Sequence, residues 1–243
     1  MKILLVNKYL YRKGGAETYF IKLGEYLKSL GNEVEYFGMA DERNCVGNRV
    51  EAYTENIDFH KKSLKHITYP FKIIYSVNAR KQIRKVLSNF KPDVVHLNNF
   101  NYQLTPSIIY EIKKHNIPIV YTAHDVQLVC PNHKLKNDYT DGLCRKCDGG
   151  KYFECVKNNC VHSSKIRSIL GAVEAWYYKL RHTYKMIDLT VCPSEFMEKE
   201  ISRNDDINGR TVTMYNFIDE IKPLGAECEN YVLYFGRYSE EKG

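Results

Sequence analysis

Apolar residues along the chain gather in short unbroken runs, separated by longer stretches with helical spacing. The runs are Lys2 to Val6 (KILLV), Glu33 to Phe37, Asp93 to Leu97, Ile117 to Thr122, Asp188 to Cys192, Thr211 to Met214 and Asn230 to Phe235. Each reads as a buried strand, the last one behind a polar start. Between them the spacing predicts helices from about Ala16 to Leu30, from Pro106 to His115 and from Lys165 to His182. Another opens at Ser194, a good N-cap with Met197 and Ile201 on the buried side. Gly31-Asn32 stops the first helix, and Pro70 breaks the 60–91 segment into one or two helices. Strands that are apolar throughout, with helices between them, imply a parallel sheet covered on both faces. The expected fold class is α/β, a Rossmann-like doubly wound sheet, whose ligands bind just beyond the carboxyl ends of the strands.

Composition adjusts this picture little and charge adjusts it more. The chain has 243 residues, 44% of them apolar, enough for a sizeable core. No run approaches the roughly 18 apolar residues that cross a bilayer. The start, MKILLVNKYLYRKGG, has no small-residue cleavage site and reads as a first strand rather than a signal peptide, so a cytoplasmic location is expected. Net charge is +7, and from His60 to Lys91 nine Lys or Arg (61, 62, 65, 72, 80, 81, 84, 85, 91) occur without one acid. Such a block suits an anionic membrane surface or a nucleic acid, or is simply a solvated helix face.

Candidate chemistry follows from the strand ends. Gly14-Gly15 after the first strand leads through Ala16-Glu17 into a helix, where free N–H groups suit an anion or a sugar hydroxyl, or only a turn. The spacing is not the G-x-G-x-x-G nucleotide fingerprint, which argues against a simple dehydrogenase. His96 and Asn98 close the third strand and His124 the fourth, so two imidazoles converge on one rim. Ser194 follows the fifth strand as a cap or a cleft residue, and Asn216 follows the sixth as a turn or hinge. Paired carboxylates, a Walker A sequence and H-E-x-x-H are all missing from the sequence, which leaves hydrolytic mechanisms little support.

Taken in order, GGAE, DVVHLNN, TAHD, VCPSEF, YNFID and YVLYFGRYSEEKG resemble the motifs of glycosyltransferase family 4, retaining enzymes of the GT-B fold. The resemblance covers essentially the whole chain. It implies residues 1–225 as an N-terminal acceptor-side Rossmann-like domain and 226–243 as the first strand and loop of a donor-binding domain. It further implies a nucleotide-sugar donor, a glycan or lipid-linked acceptor, no catalytic metal and no nucleic-acid partner. His124 would be the catalytic-centre histidine that contacts the donor sugar. Gly14, Gly15, Arg237 and Lys242 would bind the donor phosphates, two fixed cations suiting a diphosphate leaving group. Glu17, His96, Asn98, Ser194 and Asn216 would line the acceptor side or the cleft. Asn98 stands where many members carry a second histidine, and Phe217 replaces the usual glycine of the turn. The expected function is sugar transfer, at the inner face of a membrane through 60–91, with this chain inactive alone. A zinc-knuckle nucleic-acid-binding protein, and an epimerase or phosphorylase on the same fold, are the alternatives.

Residues 130–162 form a cysteine-rich insertion. Cys144-x-x-Cys147 and Cys155-x4-Cys160 have a spacing able to fold around structural Zn2+, with Cys130 as a substitute ligand. Disulfides are the competing reading and need an oxidising compartment.

Overall fold

The structure is a computed structural model, and it describes residues 1–56, 69–137, 142–218 and 230–234. Six parallel strands form one sheet in the order β2-β1-β3-β4-β5-β6. They are β1 Lys2–Val6, β2 Glu33–Phe37, β3 Val94–Leu97, β4 Ile119–Thr122, β5 Leu189–Cys192 and β6 Thr211–Thr213. The expected α/β Rossmann-like sheet is therefore present.

Alternation along β1 explains why both sheet faces need helices. Leu4 and Val6 enter one core cluster, while Ile3 and Leu5 enter the other. On the second face, α1 (Gly15–Ser29) buries Phe20 and Ile21 against Tyr36 of β2, and Gly31 at φ 81 ends that helix. Gly24 of α1 is required there, since a Cβ at that position would stand 2.2 Å from Tyr36 Oη.

The first face is covered by α3 (Val77–Phe90) and α4 (Ser107–Lys114). Ser76 caps α3 by accepting from Ala79 N at 3.1 Å, and Ile83, Val86, Leu87 and Phe90 turn inward. Its polar side is not all free charge. Arg80 and Arg84 converge on Glu111 of α4, whose side chain is 2% exposed, at 2.9 and 2.6 Å. That pairing pulls the Glu111 carboxyl down to about 2, chiefly through the Arg84 hydrogen bond. The break expected at Pro70 lies elsewhere. Pro70 is the second residue of α2 (Tyr69–Ile74), where its missing N–H interrupts no helical bond, and the chain breaks at 75–76 instead.

Two further helices follow: α5 (Phe153–Lys157), inside the cysteine-rich segment, and α6 (Lys165–Leu180) after it, with Ser164 capping α6. The last helix, α7 (Glu195–Ile201), is capped by Ser194, which accepts from Met197 N at 3.2 Å. The strand expected at Asn230–Phe235 is not formed over 230–234. Those residues carry no strand pairing, and Val232 is 99% exposed. A buried strand needs a neighbour, and the edge strand β6 pairs only with β5 among the described residues.

Candidate functional site

The parallel strand order brings the carboxyl ends of β1, β3 and β4 side by side, so the chain segments leaving them share one rim. The exits of β1 and β3 are tied together. Lys8 N donates to Asn99 O at 2.7 Å, and Asn99 N donates to Asn7 Oδ1 at 3.0 Å.

On this rim His96 Nε2 meets Thr122 Oγ1 at 2.7 Å, and His124 Nε2 meets Asn98 Oδ1 at 2.9 Å. Burial lowers both imidazoles to about 4, His96 with a smaller push from His124. Both rings are therefore neutral at pH 7, fit to exchange hydrogen bonds rather than to carry charge. Asn98 is 1% exposed, and its Nδ2 has no hydrogen-bond partner among the described residues. A buried amide donor without a partner is costly, and it is a ready donor to a ligand oxygen.

The start of α1 reaches the same rim through Tyr19, whose ring lies edge-on to His124 at 5.3 Å. Gly14 and Gly15 are exposed at that helix start, and Gly14 adopts extended backbone (φ -164) open to any residue. Glu17 is buried behind them, with Oε2 3.3 Å from the position of a Cβ at Gly14. Phe217, in the segment after β6, lies 5.3 Å from the Tyr19 ring and 6.2 Å from Tyr26. Asn216 is exposed beside it.

A charged cluster adjoins the histidines, and sequence reading missed most of it. Lys8 Nζ donates to Asn101 Oδ1 at 3.0 Å and sits 5.0 Å from the Tyr102 ring centre. Burial, then Lys13, lowers its ammonium to about 8, against the pull of Asp125 and Glu17. Burial would raise Asp125, but His133 at 3.4 Å, the Gln127 N–H and Lys8 hold it below the usual carboxylate range. His133 stacks on Tyr102 at 5.8 Å. Burial lifts Glu174 of α6 up to about 7, with His133 opposing. Lys8 lies 93 positions from the adjacent Asn101 and Tyr102, and the three follow no motif. The only advance signal is their position two to five residues past a strand end.

Ser194 spends its hydroxyl on the α7 cap, and the structure shows it as a capping residue. Arg237 and Lys242 lie outside the described residues. So do Lys61, Lys62 and Lys65 of the basic run.

Cys130, Cys144, Cys147, Cys155 and Cys160 line a common pocket of about 10 Å³. None of them forms a disulfide. Cys130 Sγ is engaged with Asn132 Oδ1 at 2.9 Å, and Cys144 Sγ accepts from Asn137 Nδ2 at 3.1 Å. Among the described residues, no group of three or more His, Cys, Asp or Glu side chains is placed to hold a metal ion. The five cysteines gather at one pocket, but the described residues give the expected structural Zn2+ no support.

Comparison with known proteins decides the family. The model of Glycosyltransferase Family 4 matches residues 13–221. The chain belongs to glycosyltransferase family 4. An uncharacterized 42.6 kDa protein in the cps region of Klebsiella pneumoniae is 25% identical over 100% of this chain and 63% of its own length. Sucrose-phosphate synthase from Thermosynechococcus elongatus superimposes with a TM-score of 0.50 at 14% identity, over 88% of this chain and 47% of that one. Anabaena HepE, crystallised with UDP and glucose, gives 0.48 at 15% identity over 90% and 45%. The family 4 chain thus spans less than two thirds of these relatives, and the likeness to sucrose-phosphate synthase bears on its fold alone.

Proposed function

We propose that this family 4 chain is the acceptor-side portion of a nucleotide-sugar-dependent glycosyltransferase with a retaining mechanism. It works on a glycan or lipid-linked acceptor at the cytoplasmic face of a membrane approached through 60–91. The observation that carries the reading is the neutral His124–Asn98 pair, with an unpartnered Asn98 donor, on a rim shared with Gly14, Gly15 and Glu17.

In this reading the bond from the sugar's anomeric carbon to the diphosphate oxygen breaks. The acceptor hydroxyl oxygen forms its bond on the same face, and the acceptor proton passes to the departing diphosphate. His124, neutral and donating its Nε2–H to Asn98 Oδ1, accepts a hydrogen bond at Nδ1 from a donor-sugar hydroxyl, and Asn98 Nδ2 donates to a second oxygen. The exposed N–H groups at Gly14 and Gly15 face the phosphates, an arrangement suited to a helix start. Arg237 and Lys242 are assigned to the diphosphate leaving group, where fixed cations stabilise charge as it develops. No step requires a metal.

The test is sugar transfer or donor hydrolysis by the longest natural form of the protein. His124→Ala is expected to lower kcat by about 100-fold or more, a magnitude typical for losing a group that acts in the transition state. The 243-residue chain is expected to transfer little sugar by itself. Full activity of the His124→Ala protein would refute the assignment, and release of an epimerised donor instead of a glycoside would replace it.

A further inference from the structure

The face built by α5 and α6 is not explained by the cleft. Ile166, Ile169, Val173, Trp176 and Leu180 recur every three to four residues along α6, and all are exposed, Ile166 and Leu180 by 73% and 72%. Phe153 of α5 is 67% exposed beside them. Between the two helices runs an open groove of about 790 Å³ lined by Phe153, Val156, Ile169, Val173 and Trp176. A contiguous apolar stripe of this kind marks a surface that meets something.

Charge selects the occupant. Exposed Lys151, Lys157, Lys165 and Arg167 border the groove and its helix, and Lys179 and Arg181 lie at the other end of α6. Glu154 is paired with Lys157 at 2.8 Å. The one acid of α6, Glu174, interacts with His133 and the buried tyrosines rather than with this face. A second copy laid on α6 would oppose cations to cations in either orientation, which disfavours self-pairing. The helix packs on α2 through its buried face, Tyr178 Oη donating to Ile74 O, so α2 leaves the exposed stripe uncovered. No described helix is long and apolar enough to cross a membrane. Apolar residues ringed by cations on a surface helix match a bilayer boundary with anionic headgroups.

We propose that the α5–α6 face lies in the surface of an anionic membrane, with Trp176 and Phe153 at headgroup depth and the flanking Lys and Arg on lipid phosphates. This deepens the membrane-facing reading of 60–91 but does not depend on sugar transfer, because lipid binding is measured without donor or acceptor.

Trp176 is the sole tryptophan of the chain, so intrinsic fluorescence reports this face alone. With vesicles of phosphatidylcholine and phosphatidylglycerol, the emission should shift to the blue, quenching by acrylamide should fall, and the protein should co-sediment. Pure phosphatidylcholine or high salt should weaken all three. Ile169→Glu and Val173→Glu, checked for folding by circular dichroism, should each weaken binding about tenfold or more. Lys165→Glu with Arg167→Glu should weaken it and flatten the salt dependence.

Co-sedimentation with unchanged Trp176 emission would place the lipid contact elsewhere and overturn the proposal. A lipid-free blue shift that grows with protein concentration, together with a doubled mass, would assign the face to a second copy. Absence of binding to either vesicle would also refute it. None of these outcomes alters the transfer assay, so the two readings fail separately.

Discussion

Acidification from pH 7 to pH 5 should remove stability through His96 and His124, with Glu174 working in the opposite direction. Burial holds both imidazoles at about 4, whereas an unfolded chain titrates them near about 6.5. Between those values the unfolded chain binds protons that the folded chain refuses. Their contribution is therefore fully present above the unfolded value and is lost as pH falls toward the folded one. The loss between pH 7 and pH 5 is about 2 kcal/mol per histidine, and the pair's sum is a ceiling because the two rings repel once charged. Glu174, lifted to about 7, binds its proton in the folded chain first. It therefore adds about 2 kcal/mol over the same interval. The expected net loss is about 2 kcal/mol in the natural chain and about 4 kcal/mol in Glu174→Gln. Asp41 and Glu111, held near 2, lose their contribution only at lower pH and leave this window clear. Urea unfolding followed by far-UV circular dichroism at pH 7, 6 and 5 measures all of this. His124→Asn should return about half of the histidine loss. A Glu174→Gln protein equally stable at pH 7 and pH 5 would refute the neutral-histidine reasoning on which the proposed site rests.

Other outcomes test the packing and the cysteine cluster. Gly24→Ala should destabilise by about 1–3 kcal/mol, because the new methyl stands 2.2 Å from Tyr36 Oη on a ring inside the core; an unchanged urea midpoint would contradict this. Glu111→Ala should cost about 3 kcal/mol by stranding Arg80, 18% exposed, without its anion, and the loss should persist in high salt. Excess chelator tests the cysteine cluster that lines one pocket: a fall of several degrees in the thermal midpoint would establish structural zinc there, and an unchanged midpoint would refute it. Asn98→Asp should raise the His124 pKa from about 4 by setting a carboxylate against the ring and favouring its charged form, seen by NMR titration.

Much of the fold was legible in the sequence because its signals are local. Lys2–Val6 and Glu33–Phe37 match the structure residue for residue, since an apolar run between turn formers has few other ways to hide. The shared rim of His96 and His124 was also legible, because parallel strands send every carboxyl end to one edge. Pro70 was misread as a break because its role depends on where the helix begins, and spacing does not carry that. The segment 230–234 has the composition of a buried strand, yet Val232 is exposed. Apolar content makes burial favourable, but only a neighbouring surface makes it possible.

What the sequence determined by itself was therefore the α/β class, the strand ends and the residue types available there. Tertiary structure alone decided which of them meet. It set His124 against Asn98, brought Lys8 near Asp125, paired Arg80 and Arg84 of the basic run with Glu111, and left the apolar stripe of α6 facing outward. The reason is that desolvation and pairing depend on distances between residues tens of positions apart, and those distances exist only once the chain has closed on itself.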